Sequence, residues 1–213
     1  MLRTSKTLIA VALLAASASA MAANTAELTV TGKVLPTACT PEFANKGVVD
    51  YGDMFHGDLN ADPTQSTTIA SKNLAFTINC TSATPIATTW VDNKPEHNDN
   101  AAHNNYFGFG KDASDQPIGR LWVQIPGSKA QGDGEEVDVI HSLDKTTWDK
   151  NAYGQVSKVH FTSFAAVGET TPKAFKTYSG NLQLKPTVRP TETMDMSGAL
   201  EIDSSLTMEV IYL

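Results

Sequence analysis

Cys39 and Cys80 are the only two thiols in the chain, and their chemistry is the easiest to place. A metal site would need further ligands at short spacing, and neither cysteine has them. An even pair behind a secretory leader is most simply a disulfide; closing about 40 residues of chain is worth roughly 4 kcal/mol on the chain-entropy account. The stretch EHNDNAAHNN offers His97, Asp99 and His103, but two histidines six residues apart fit no compact zinc or calcium loop. Loop polarity is the expectation there, with no metal. Trp90, Tyr106, Phe107, Phe109 and Trp122 could stack on a sugar, although large aromatics mostly serve burial, and core packing with loop anchoring is expected. Asn79, Cys80 and Thr81 spell a glycosylation sequon that its place beside a cysteine makes coincidental. A nucleophile elbow, a zinc-binding His-Glu pair and a phosphate-cradling glycine loop are all missing from the sequence. The acidic residues are scattered and reveal no catalytic pair. The chain reads as a non-enzyme that needs no cofactor.

Targeting comes next. Arg3 and Lys6 precede a short apolar core at residues 8–16, and Ala20 and Ala22 flank Met21 in an A-x-A pattern. Residues 1–22 therefore read as a signal peptide, with the mature start at Ala23. The apolar core is too short to span a bilayer and no later run is longer, so an exported protein without membrane insertion is expected. The formal charge of -7 becomes about -9 once the two leader cations are removed, a poor balance for nucleic acid or anionic membranes.

The elements that would position these residues are extended. In ELTVTGKVLP, residues 27–36, Leu28, Val30, Gly32 and Val34 share one parity and Glu27, Thr29, Thr31 and Lys33 the other, which is a strand period. Pro36 ends it. KNLAFTINC at 72–80 puts Leu74, Phe76, Ile78 and Cys80 on one face, and IATTWV at 86–91 follows as a second strand. Residues 92–118 are rich in Asn, Asp, Gly and Pro and read as a long surface excursion. Strand character returns at 119–127, then KAQGDGEEV reads as a turn. Further strands are expected at 137–142, 156–167 and 178–188, with Pro172, Pro186 and Pro190 as punctuation. At the end, Leu200, Ile202, Leu206, Met208, Val210 and Tyr212 hold one parity, a pattern that implies pairing into a sheet. Helical periodicity is absent, so the class is all-β, a sandwich or a barrel.

Four of these pieces carry a resemblance. ELTVTGKVLPTAC resembles the N-terminal extension of pilins of the chaperone-usher pathway, with Gly32 seven residues before Cys39. VVDYGD looks like their second element, LAFTINC is similar to the strand bearing their second cysteine, and LTMEVIYL resembles their last strand with its penultimate tyrosine. The resemblance implies an incomplete immunoglobulin-like β-sandwich lacking its last strand, with a hydrophobic groove left open. It divides the chain into the arm at 23–36 and a pilin domain at 37–213. Leu28, Val30, Gly32 and Val34 would then be donated to a neighbour. Leu206, Met208, Val210 and Tyr212 would border the groove, and the carboxylate of Leu213 would anchor a periplasmic chaperone. The implied partners are that chaperone, an outer-membrane usher and neighbouring pilin subunits; the implied place is a fimbria on the cell surface, contributing to adhesion. Two departures stand out: the mature chain is longer than the common pilin, and the surplus falls between residues 92 and 134. The rival expectation is a self-complete secreted β-sandwich that binds carbohydrate through residues 92–118.

Gly32→Leu is expected to block subunit addition while the disulfide-bonded domain still folds. Fibre yield against the amount of folded monomer checks this.

Overall fold

Period-two patterning leads to fourteen strands in a computed structural model that describes residues 30–31, 38–126 and 130–213. Helical pieces among them are short 3₁₀ turns. The chain divides into two units, Met1–Leu35 and Pro36–Leu213. In the first, only Val30 and Thr31 are described, without regular structure, and Val30 is exposed. The signal peptide and Leu28, Gly32 and Val34 lie outside the described residues.

The second unit is all-β. Its strands are β1 (Cys39–Phe43), β2 (Thr67–Thr68), β3 (Lys72–Thr84), β4 (Ile86–Asp92), β5 (Tyr106–Gly108), β6 (Gly110–Lys111) and β7 (Gly119–Gln124). They continue as β8 (Ala130–Gly132), β9 (Glu135–Ser142), β10 (Asp149–Lys150), β11 (Phe161–Ala166), β12 (Phe175–Val188), β13 (Glu201–Ile202) and β14 (Leu206–Tyr212). One hydrogen-bonded path runs β1-β3-β12-β8-β9-β11-β4-β14. β7 and β2 pair with β12 beyond β8 and β3, β5 pairs with β7, and β10 pairs with β9. The path curls nearly into a barrel, because its two ends, β1 and β14, come to lie beside each other.

The core follows the parity read from the sequence. Leu74, Phe76, Ile78 and Cys80 point inward from β3, and Leu121 and Val123 do so from β7. Val137 and Val139 add the inner face of β9, and Tyr178, Leu182 and Val188 that of β12. Fully burying one such side chain contributes about 1.5–3 kcal/mol. Tyr178 is completely buried, and its hydroxyl donates to the Thr84 carbonyl at 2.6 Å while accepting from the Phe175 N–H at 3.1 Å. Cys39 and Cys80 face each other across β1 and β3 and form the disulfide.

Two turns and one proline sharpen the reading. The KAQGDGEEV turn is a two-residue hairpin loop, with Asp133 at φ 52° and Gly134 at φ 86°. Positive φ at both positions is the geometry that favours Asp-Gly. Pro186, read as punctuation, sits inside β12 opposite Leu121. Its carbonyl accepts from the Ile69 N–H at 3.1 Å, so the N–H it lacks faces the break between β2 and β3. That is where a ladder loses least from a proline. The strand expected at 156–167 shrinks to Phe161–Ala166, because residues 156–160 spend their hydrogen bonds on the loop around Asn104 and Ser157 instead.

Replacing Cys39 and Cys80 together by serine is expected to cost about 2–5 kcal/mol of stability. Denaturant unfolding of the oxidised wild type beside the double variant measures it.

Candidate functional site

Among the described residues β14 pairs only with β4, from Leu206↔Asp92 to Tyr212↔Ile86. Two flanking bonds fix which of its backbone groups turn inward: Leu213 N–H donates to the Pro85 carbonyl at 3.2 Å, and Asn93 N–H to the Ser205 carbonyl at 2.9 Å. In an antiparallel ladder both backbone groups of one residue point the same way and successive residues alternate. The odd-numbered residues of β14 therefore bond to β4. The N–H and C=O groups of Leu206, Met208, Val210 and Tyr212 face outward, along an edge that is bare among the described residues.

Beside that edge, among the described residues, the sheet path does not close, and the gap is lined by both apolar and polar side chains. One cavity of about 430 Å³ is lined by Phe43, Val49, Leu74, Trp90, Leu182 and Leu206, among others. A second, of about 530 Å³, continues past Leu59, Ile118, Val188 and Leu200. Val49, Tyr51 and Ile202 line both, so the two cavities are neighbours along one trough wall. Tyr51 stands at the junction with its ring edge against Phe109 and its hydroxyl 3.4 Å from the Leu184 carbonyl; burial pushes its pKa up to about 12, so it stays neutral. Phe55, 75 % exposed, lies at the far end. The lining is mixed, since Lys46, Asp203 and Ser204 stand among the apolar residues of the first cavity and Asp50, Asp53 and Glu201 among those of the second. A concave surface of apolar side chains with polar groups between them is what a ligand or peptide groove requires.

Of the C-terminal residues named from the sequence, Leu206, Met208, Val210 and Tyr212 lie on β14 and Leu213 follows it. Met208 is buried, Leu206 and Val210 are half-buried against the core, and Tyr212 and Leu213 are exposed. The Tyr212 hydroxyl accepts the Cys39 N–H at 2.8 Å. The carboxyl-terminal residue lines a separate shallow pocket with Lys145, Trp148 and Pro172. Of the arm residues, only Val30 is among those described.

Residues 92–118 depart from the surface excursion expected of them. Phe107, Phe109 and Ile118 are buried in the core, and the segment braces the approach to β14. Lys94 forms an ion pair with Asp203, and His97 Nδ1 lies 2.8 Å from the Asp203 carbonyl, so that nitrogen carries the proton. Asp203 N–H donates to the Phe109 carbonyl at 2.9 Å, Ser204 Oγ to the Gly108 carbonyl at 2.6 Å, and β6 pairs with β13. A methyl group on Gly110 would overlap the Glu201 carbonyl, so only glycine lets these strands meet. The sequence reading missed His97, Asp203 and Ser204 as bracing residues. A signal was present in YFGFG, where Phe107 and Phe109 share a parity.

Asp112 locks the same region from the other side. Its carboxylate accepts backbone N–H groups from Ser114 at 3.0 Å, Gln116 at 2.9 Å and Asp195 at 3.0 Å, and Arg189 lies 3.5 Å away. Burial raises its pKa, but the three N–H donors and Arg189 together outweigh that and hold it below the ordinary carboxylate value. Among the aromatics, Trp90, Phe107 and Phe109 are buried as expected. Tyr106 and Trp122 stand opposite each other on the outer surface, under Arg120 and Lys185 at about 5 Å, and His103 stacks on Tyr106. Among the described residues, no cluster of three His, Cys, Asp or Glu could hold a metal. No helix there is long and apolar enough to cross a membrane.

A family model described as "Protein of unknown function (DUF1120)" matches residues 28–116. The chain is similar to protein GltF of Escherichia coli (strain K12), 29 % identical over 96 % of each chain. It is also similar to the uncharacterized protein YhcF of that strain, 26 % identical over 92 % of this chain and 93 % of the other.

A carboxyl held low in the fold contributes stability that is present above about pH 4 and lost as the pH falls. Asp112→Asn should therefore lower the melting temperature by several degrees at neutral pH and flatten its decline between about pH 4 and 2. Thermal melts of both proteins across that range provide the check.

Proposed function

We propose that this chain is a structural subunit of a surface fimbria, built as an immunoglobulin-like sandwich that lacks its last strand and receives one from a neighbouring subunit. The observation that carries this reading is the bare edge of β14 running beside an apolar trough. An edge of that kind invites pairing with another chain, and the trough supplies pockets for alternate side chains, the two requirements of strand addition.

The arm at residues 23–36 has the matching pattern. Burying Leu28, Val30 and Val34 is worth about 1.5–3 kcal/mol each, with roughly 1 kcal/mol for each ladder hydrogen bond. A strand from the same molecule fits less well. The chain enters β1 at Ala38, beside Tyr212, so its own arm would have to double back and run parallel to β14. A second molecule's arm is free to run antiparallel, the more stable pairing. On this reading a periplasmic chaperone fills the trough first, with the Leu213 carboxylate as an anchor, and an outer-membrane usher exchanges it for the next subunit's arm. The protein does no chemistry beyond association, and it reaches the cell surface through the periplasm.

Co-expression with a periplasmic pilus chaperone tests this: a stable one-to-one complex is expected, with aggregation of the chain alone. Deleting residues 23–35 should leave the chaperone complex intact and abolish polymers. If that deletion instead unfolds a chain that was monomeric without any chaperone, the sandwich is self-complete.

A further inference from the structure

The two lips of the seam are unequal. Thr81 N–H donates to the Ala38 carbonyl at 2.9 Å, so Cys39 and Cys80, one step along, form a non-hydrogen-bonded pair. The Cys39 N–H therefore points away from β3 into the seam, where the Tyr212 hydroxyl takes it up. The next seam-facing position is Pro41, which has no N–H. β1 is thus a blunted lip and β14 a bare one. Among the described residues, the Cys39–Tyr212 bond is the one hydrogen bond that crosses between them. β1 and β14 come within 8 Å of each other at their Cα atoms, less than the two strand spacings of roughly 4.8 Å that an added strand needs, so no added strand can run the full length of the seam.

We infer that Tyr212 is a register stop for the incoming strand, taken to be residues 23–36 of a second copy; the inference rests on the strand-accepting reading given above. That strand builds its ladder on the outward groups of Val210, Met208 and Leu206 and ends beneath the Tyr212 bridge. Run antiparallel with Leu28 opposite Val210, the arm sets Val30 opposite Met208, Gly32 opposite Leu206 and Val34 opposite Ser204. Each apolar arm residue then shares the inward face of its β14 partner, since directly opposed residues point to the same side of a sheet. The arm's run of seven residues ends at the trough wall formed by Ser204, Ser205 and Leu206. Tyr212 is a positioning residue here, acting through the place where the ladder must end.

The test adds a synthetic peptide of residues 23–36 to the chain from Ala23 onward and follows amide hydrogen exchange along β14. In the wild type the peptide should slow exchange at Leu206, Met208 and Val210 but not at Tyr212. Tyr212→Phe removes only the hydroxyl; the protected stretch should then extend to residue 212, with the Cys39 amide exchanging fast in the free protein. Pro41→Ala, which restores a donor on the opposite lip and leaves the bridge intact, should keep the boundary at Val210. A boundary that is the same in wild type and Tyr212→Phe, or that moves in Pro41→Ala alone, overturns the stop while leaving strand acceptance standing. A peptide that protects no residue of β14 in any variant overturns both.

Discussion

A β-sheet whose two ends meet without a backbone ladder between them, among the described residues, is the constraint from which the rest of this structure follows. Most sheets bury or blunt their edges, because a row of free N–H and C=O groups is a template for any passing strand. Here one edge is blunted by Pro41 and the Tyr212 hydroxyl, and the other, β14, is left with four outward-facing residues. The trough beside it adds exposed apolar side chains such as Phe55 to that open edge.

Holding such an edge in place without a neighbour requires bracing. β14 has support from β4 on one side only, and its lead-in at residues 203–205 has no strand partner of its own. The segment at 92–118 supplies it through Lys94, His97, Gly108 and Phe109, all of which bond to Asp203 or Ser204. Asp112 then fastens the far end of that segment to Asp195 and Arg189. Residues 92–118 thereby hold the lead-in to β14 in place.

What was legible in the sequence divides along physical lines. Period-two strands with large apolar residues, such as 72–80 and 206–212, were visible because burial on one face of a sheet writes itself directly into parity. The disulfide followed from counting cysteines. Residues 92–118 were misread because asparagine and glycine dominate the composition there. Their bracing role depends on main-chain carbonyls and on long-range partners near residue 203, which no local window contains. Pro186 was misread for a related reason: whether a proline breaks a strand depends on what faces its nitrogen, and that is set by β2 and β3 more than a hundred residues away in sequence. At residues 27–36 the sequence offers a period-two pattern alone.

The disulfide has a mechanical consequence. It joins Cys39, the first residue of β1, to Cys80 on β3. A tensile load applied through residues upstream of Ala38 meets a covalent link at its first point of entry and passes into the long central strands. β1 is therefore shielded from being peeled off the sheet one bond at a time. In a linear chain of such molecules, the weakest element under tension would be the noncovalent ladder along β14, and the domains themselves would survive the pull.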